Sequence, residues 1–286
     1  MFFAVTIVGC SDEDNEVVGD NVSADAFTYT LDNETMAVTT ITAKKSEDLF
    51  AVSGRSSDGR IIEVHFNKYG NLKEVNTYSV TDTLAPVKTN YHYYKANFFD
   101  FELVSLDEET KKVRVTFSGK VYEDEYDLTS EFSVVDGSFT VTYTDVNPTV
   151  AGINVSAKIN GNRWYATETA DQAGGTVAGE NITLYASNDS AYSLTTILNH
   201  DTTEVGTYDF TTSSATNKVV LSIYETATNQ NITFPTSSGT LKITEKTVGT
   251  EYTTISGTFS LTVFNPYTQA NMPVTDGKFK RVYLNY

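Results

Sequence analysis

The chain has 286 residues, with 37 acidic and 20 basic side chains and a formal charge of −17. A surface this acidic repels nucleic acid and anionic headgroups, so no nucleic-acid partner is expected. One cysteine excludes an intrachain disulfide, and no stretch approaches the ~18–20 apolar residues of a bilayer-spanning helix.

Met1 to Val8 is apolar. Gly9-Cys10 follows, and then the acidic run Ser11-Asp12-Glu13-Asp14-Asn15-Glu16. Ile7-Val8-Gly9-Cys10 resembles the bacterial lipobox, in which a small residue precedes a cysteine that is lipidated and becomes the mature N-terminus. The sole cysteine falls at that position. The resemblance implies a signal peptide over residues 1–10 and an acyl anchor on Cys10, which makes a membrane the first partner. No Lys or Arg precedes the apolar run, which departs from the pattern; a basic stretch encoded ahead of Met1 is the expectation. Ser11, Asp12, Glu13 and Asp14 resemble the acidic surface-export tag of lipoproteins in the Bacteroidota. That resemblance implies the outer face of the outer membrane, in preference to the periplasm. Physically, residues 11–25 read as a solvated tether, which is compatible with both.

From Ala26 the chain alternates as strand after strand. Phe27 to Leu31, Met36 to Ala43, Leu49 to Ser53 and Ile61 to Phe66 are predicted strands, with turns at Ser56-Ser57-Asp58-Gly59 and Lys68-Tyr69-Gly70-Asn71. Thr81 to Thr89 reads as a longer loop holding Pro86. Tyr91-His92-Tyr93-Tyr94 and Phe98 to Leu106 read as aromatic strands, and Lys111 to Val121 opens a hairpin. The linker at Asp145-Val146-Asn147-Pro148 divides the chain into an N-terminal domain, 26–147, and a C-terminal domain, 148–286. In the second, Asn160-Gly161 between alternating runs predicts a two-residue hairpin with Ala157 opposite Trp164. Further strands are predicted at Ile182–Ser187, Tyr192–Leu198, Gly206–Phe210, Val219–Tyr224, Gly239–Glu245, Thr253–Phe264 and Pro273–Leu284. No significant helix is expected. The fold class is all-β: two tandem antiparallel β-sandwich or barrel-like domains.

One stretch occurs twice. Phe117-Ser118-Gly119 followed by Val135-Asp136-Gly137-Ser138-Phe139 matches Ile255-Ser256-Gly257 followed by Thr275-Asp276-Gly277-Lys278-Phe279. The match predicts an internal duplication in which the glycines mark bulges or bends. The second half, through Lys158-Ile159-Asn160-Gly161, Gly206-Thr207-Tyr208, Gly239 to Thr244 and Asp276 to Phe279, resembles an uncharacterised β-domain recurring in Bacteroidota lipoproteins. The resemblance covers residues 153–284 and implies a fold and a location but no activity.

Catalytic signals are sparse. There is no G-x-S-x-G elbow, and His65, His92 and His200 are scattered. No catalytic residue, metal ligand or cofactor is assigned. Glu123-Asp124-Glu125 with Asp127 offers oxygens for Ca²⁺, but a solvated hairpin tip is the favoured reading. Tyr91, Tyr93 and Tyr94 are the candidate ligand-binding aromatics. Packing at a core or domain interface is the favoured reading, and a stacking platform for sugars the other. The expected function is a non-catalytic binding or scaffold lipoprotein with a glycan or protein partner. The alternatives are a carbohydrate-binding accessory of a glycan-uptake system and, more remotely, a hydrolase.

Overall fold

A computed structural model describes residues 24–170 and 179–285. The chain is all-β, and its one helical turn among the described residues is a short 3-10 segment, Lys95–Asn97. The N-terminal half contributes β1 (Ala26–Leu31), β2 (Glu34–Met36), β3 (Val38–Ser46), β4 (Leu49–Ser56), β5 (Arg60–Asn67), β6 (Leu72–Ser79), β7 (Lys88–Asn90), β8 (Phe99–Asp107), β9 (Lys112–Tyr122), β10 (Phe132–Thr142) and β11 (Thr144–Asp145). They form a single sheet in the order β11-β3-β4-β5-β6-β7-β9-β10-β1-β2, with β8 beside β9. The β11–β3 pair is parallel and the other ladders of this sheet are antiparallel. The sheet curls over itself without closing into a barrel, and Phe27 of β1 lies against Gly54 of β4.

The C-terminal half contributes β12 (Asn154–Ile159), β13 (Asn162–Tyr165), β14 (Glu168–Ala170), β15 (Asn181–Ser187), β16 (Tyr192–Asn199), β17 (Gly206–Phe210), β18 (Lys218–Glu225), β19 (Gln230–Thr233), β20 (Thr236–Val248), β21 (Tyr252–Asn265) and β22 (Ala270–Leu284). They form two sheets, β13-β12-β22-β21-β20-β17 and β14-β15-β16-β18-β19. One pairing scheme underlies both halves. An opening hairpin (β1-β2 or β12-β13) sits beside the last long strand (β10 or β22), which closes a meander (β8-β9-β10 or β20-β21-β22). The halves differ where β7 stitches β6 to β9 in the first, whereas β17 crosses to β20 in the second. Each half has its own apolar core, and a third, small cluster holds Tyr91, Tyr122 and Tyr224.

The hairpin at Asn160-Gly161 forms as predicted. Both turn residues have positive φ, 50° and 83°, and Ala157 faces a buried Trp164. The repeated glycines have a different role from the one expected. Each lies directly opposite a phenylalanine across a ladder: Phe99 on Gly119, Phe117 on Gly137, Phe259 on Gly277 and Phe279 on Gly257. A Cβ on Gly137 would come within 2.5 Å of the Phe117 ring, and one on Gly277 within 2.4 Å of Phe259. The absent side chain makes room for the ring, and the ring covers the backbone the glycine leaves bare. This corrects the alignment of the two copies. Phe117–Gly137 corresponds to Phe259–Gly277, whereas Gly119 and Gly257 fall on opposite sides of their phenylalanines. Only the later copy carries a bulge next to its Asp-Gly, between the Phe259 and Leu261 pairings.

Tyr91-His92-Tyr93-Tyr94 is not a strand. Tyr94 adopts φ 44°, and the amides of Asn97 and Phe98 close a 3-10 turn on the carbonyls of Tyr94 and Lys95. Strands β6, β14 and β19 go beyond the predicted elements, as do β7, which begins inside the expected Thr81–Thr89 loop, and β11, which ends on the first residue of the expected linker.

Candidate functional site

Two regions gather polar side chains that the packing alone does not require. The first is the junction between the halves. Tyr91 is 2% exposed, and its hydroxyl lies 2.6 Å from that of Tyr224, with Asn229 Oδ1 accepting beside them. Tyr93 stacks on Tyr224 at 4.7 Å and 12°, and Tyr94 packs half-buried against the same cluster. Burial, then the bond to Tyr224, pushes the Tyr91 phenol well above its ordinary range. Of the three candidate aromatics, Tyr91 therefore presents no open face, and Tyr93 has one face covered by Tyr224.

Around them lies a charged ring. Lys95 is almost fully buried and pairs with Glu168 at 2.8 Å. His92 stands 3.9 Å from Glu168 and 3.8 Å from Glu125, and burial holds its imidazole below the usual range against the pull of Glu168. Asp189 accepts from the Leu72 amide and from Asn71 Nδ2, both at 2.9 Å. Burial raises its pKa, and those donors offset part of the rise. Tyr69 and Tyr165 stack at 3.6 Å and 7° on another side of the junction. The strand-and-turn chemistry of both halves thus converges on fastening, with Lys95 paired to Glu168 and Asp189 held by Asn71 and the Leu72 amide across the join.

The second region is a pocket of about 500 Å³ at one end of the N-terminal half, beneath the loop that holds Pro86. Arg60 lines one wall, tied to Asp58 at 3.2 Å and to Glu34 at 3.1 Å. Lys88 lines the other, with Ser133 Oγ at 3.3 Å, Glu131 at 3.4 Å and Glu123 at 3.9 Å. Tyr78, its hydroxyl donated to Glu63, offers a ring, and Leu31 and Pro86 add apolar surface. At the base sits Tyr29. Its hydroxyl is buried near Ser56, Asp58 and Arg60 without a well-formed hydrogen bond, while Ser56 donates its own hydroxyl toward Asp58 and the Arg60 carbonyl. Leu84, at the outer turn of the covering loop, is 94% exposed. Fixed donors and acceptors around a partly apolar hollow are what a small polar ligand needs for orientation.

None of the three histidines lines this pocket. His65 lies on β5 near Glu63 and Glu74, and His200 is in a turn beside Asp201. Asp124 and Asp127 accept from amides of their own hairpin tip, Tyr126 and Thr129, so their oxygens serve the turn. Cys10, Ser11, Asp12, Glu13 and Asp14 lie outside the described residues. The sequence reading missed the pocket, because Tyr29, Arg60, Lys88 and Ser133 come from four separate segments. A local signal did exist: Lys88 closes a loop and directly precedes two polar residues of a very short strand.

Residues 151–283 match the model of a family described as a domain of unknown function, DUF6252. No curated protein matches the chain.

Proposed function

We propose that this chain is a non-catalytic binding protein, lipid-anchored at Cys10 and displayed by Ser11, Asp12, Glu13 and Asp14 on the outer face of the outer membrane. It holds a small polar ligand in the pocket beneath residues 81–87. The observation that carries this reading is the Tyr29 hydroxyl. A buried hydroxyl without a partner costs about 1–3 kcal/mol, and this one borders a solvent-connected hollow lined by Arg60 and Lys88. A shift of the Arg60–Asp58 wall would let a bound hydroxyl or carboxylate oxygen reach it and satisfy it. The lining favours a polyhydroxylated ligand: carboxylates accept from sugar hydroxyls, cations donate to them, and Tyr78 gives a ring to lie against. That supports the narrower role of a carbohydrate-binding accessory in glycan uptake.

Titration calorimetry against neutral mono- and oligosaccharides tests the pocket. Binding is expected in the intact chain and lost in Lys88→Ala and Tyr29→Phe; binding that survives both substitutions would put the ligand elsewhere. The anchor has its own test. Cys10→Ser should release the protein from membranes with a mass lacking the acyl chains, and a membrane-bound product of unchanged mass would overturn lipidation.

A further inference from the structure

The outer face of the six-stranded C-terminal sheet gathers four cations, Lys158, Arg163, Lys242 and Lys278, around one depression. One row crosses all six strands through directly opposed residues: Tyr165, Ser156, Lys278, Thr258, Lys242 and Thr207. Neighbouring strands stand about 4.8 Å apart, so Lys278 and Lys242 are about 10 Å apart along it. Arg163 and Lys158 face each other on the next row. The short Ser and Thr side chains make the floor, and the long cations the walls, of a shallow depression of about 770 Å³. Four cations meet one carboxylate, Asp276, which is paired to Lys158 at 2.8 Å. Arg163, Lys242 and Lys278 are exposed and have no ion pair or side-chain hydrogen bond among the described residues.

The corresponding row of the N-terminal half isolates the meaning of this charge. There Thr28, Ser138, Thr116 and Glu102 stand opposite one another in the places of Ser156, Lys278, Thr258 and Lys242. The same architecture thus carries an acidic wall (Asp100, Glu102, Asp136) in one half and a basic one in the other. In a chain of net charge −17, exposed cations without a carboxylate partner make this face the locally favourable place for an anion from outside.

We propose that this face binds an anionic polysaccharide laid across the strands, its carboxylate or sulfate groups meeting Lys278, Lys242 and Arg163 and its hydroxyls meeting the Ser and Thr floor. A linear polymer fits a long, shallow, hydroxyl-floored trough. The acidic face of a second copy fits poorly, because it is recessed in the same way. An anionic bilayer is disfavoured by the charge of the whole molecule and by the polar character of the rows that would have to enter it. This site is separate from the Tyr29 pocket, and neither reading depends on the other.

Affinity electrophoresis and calorimetry of the full chain with polygalacturonate, with neutral dextran as the control polymer, test the proposal. Polygalacturonate should retard the protein at low salt, and dextran should not. Lys242→Glu/Lys278→Glu should weaken binding by roughly tenfold or more, and raising the salt should weaken it further. Lys44→Glu/Arg55→Glu, which changes the net charge equally on exposed positions of the other half, should leave binding intact. Equal loss in the two double variants, or no retardation of the parent chain, overturns the proposal. So does an outcome in which the Lys242/Lys278 variant loses binding only to phosphatidylglycerol vesicles. Matching melting temperatures of the variants exclude a folding defect.

Discussion

In the N-terminal half Tyr29 faces Met36 across the opening hairpin; in the C-terminal half the small Ala157 faces Trp164. The bulky ring has changed strands, yet in each half its polar atom, Tyr29 Oη or Trp164 Nε1, is buried without a hydrogen-bond partner among the described residues. What separates them is surroundings. Trp164 belongs to a continuous apolar core, while the Tyr29 hydroxyl sits beside the charged wall of a pocket. One pairing scheme has therefore been filled in two ways, once as a closed interior and once as an interior with an opening. An unsatisfied group is a fixed cost in the first; in the second, on the proposed reading, it is the group a ligand would engage.

The comparison breaks most forcefully at the junction, where the halves stop being separable. Removing one partner of a buried ion pair leaves the other charge stranded, so Lys95→Ala should lower stability by about 3–5 kcal/mol, with Lys95→Met recovering part of it. Chemical denaturation reads this, and a loss under 1 kcal/mol would mean that the halves hold together by other means. Next come the shared ring-on-glycine pairs. Gly137→Ala and Gly277→Ala should each cost about 2–3 kcal/mol, because the new methyl meets Phe117 or Phe259 inside contact distance. Similar costs sharpen the equivalence of the two hairpins, and a neutral result at either one breaks it.

A smaller effect has the opposite sign. Tyr29→Phe removes a buried hydroxyl that lacks a partner and should stabilise the ligand-free chain by about 1 kcal/mol. A fall in melting temperature would show that the hydroxyl was already satisfied. The smallest effect is on pH. Burial depresses the pKa of His65, in the first half, and of His92, at the junction. Below 6.5, and above those lowered values, the unfolded chain binds more protons than the folded one, so stability falls as the pH drops through that window. His65→Gln and His92→Gln should each flatten the fall in thermal melts. Asp189 acts in reverse: its raised pKa means that acidification from neutrality toward its ordinary value of 3.8 relieves a buried charge, and Asp189→Asn should remove that gain.

Much of the placement of strands along the chain was legible, because alternation is local and the Asn160-Gly161 turn dictates its own register. The misreadings have common physical roots. Tyr91 to Tyr94 carries strand-like residues, but their partners Tyr224, Asn229 and Glu168 arrive from far along the chain and hold the segment in a turn. Leu72–Ser79 alternates weakly, and its place as β6 is set by neighbours on both sides. The glycines were recognised as unusual, but what each one faces is a property of register, which no single strand contains. The basic face is invisible for the same reason: Lys158, Lys242 and Lys278 come onto one face only when the ladders are zipped.

In both halves the first strand is flanked on each side, by β10 and β2 in one and by β22 and β13 in the other. Each half is consequently a loop of chain fastened start to finish, and neither can complete its main sheet during synthesis until its last strand has emerged. Trimming the residues after Gly277 would take from β12 its pairings at Asn154, Val155 and Ser156 and from β21 those of Tyr252 to Thr258, and a tug on the segment ahead of Ala26 would load two seams together instead of peeling a border.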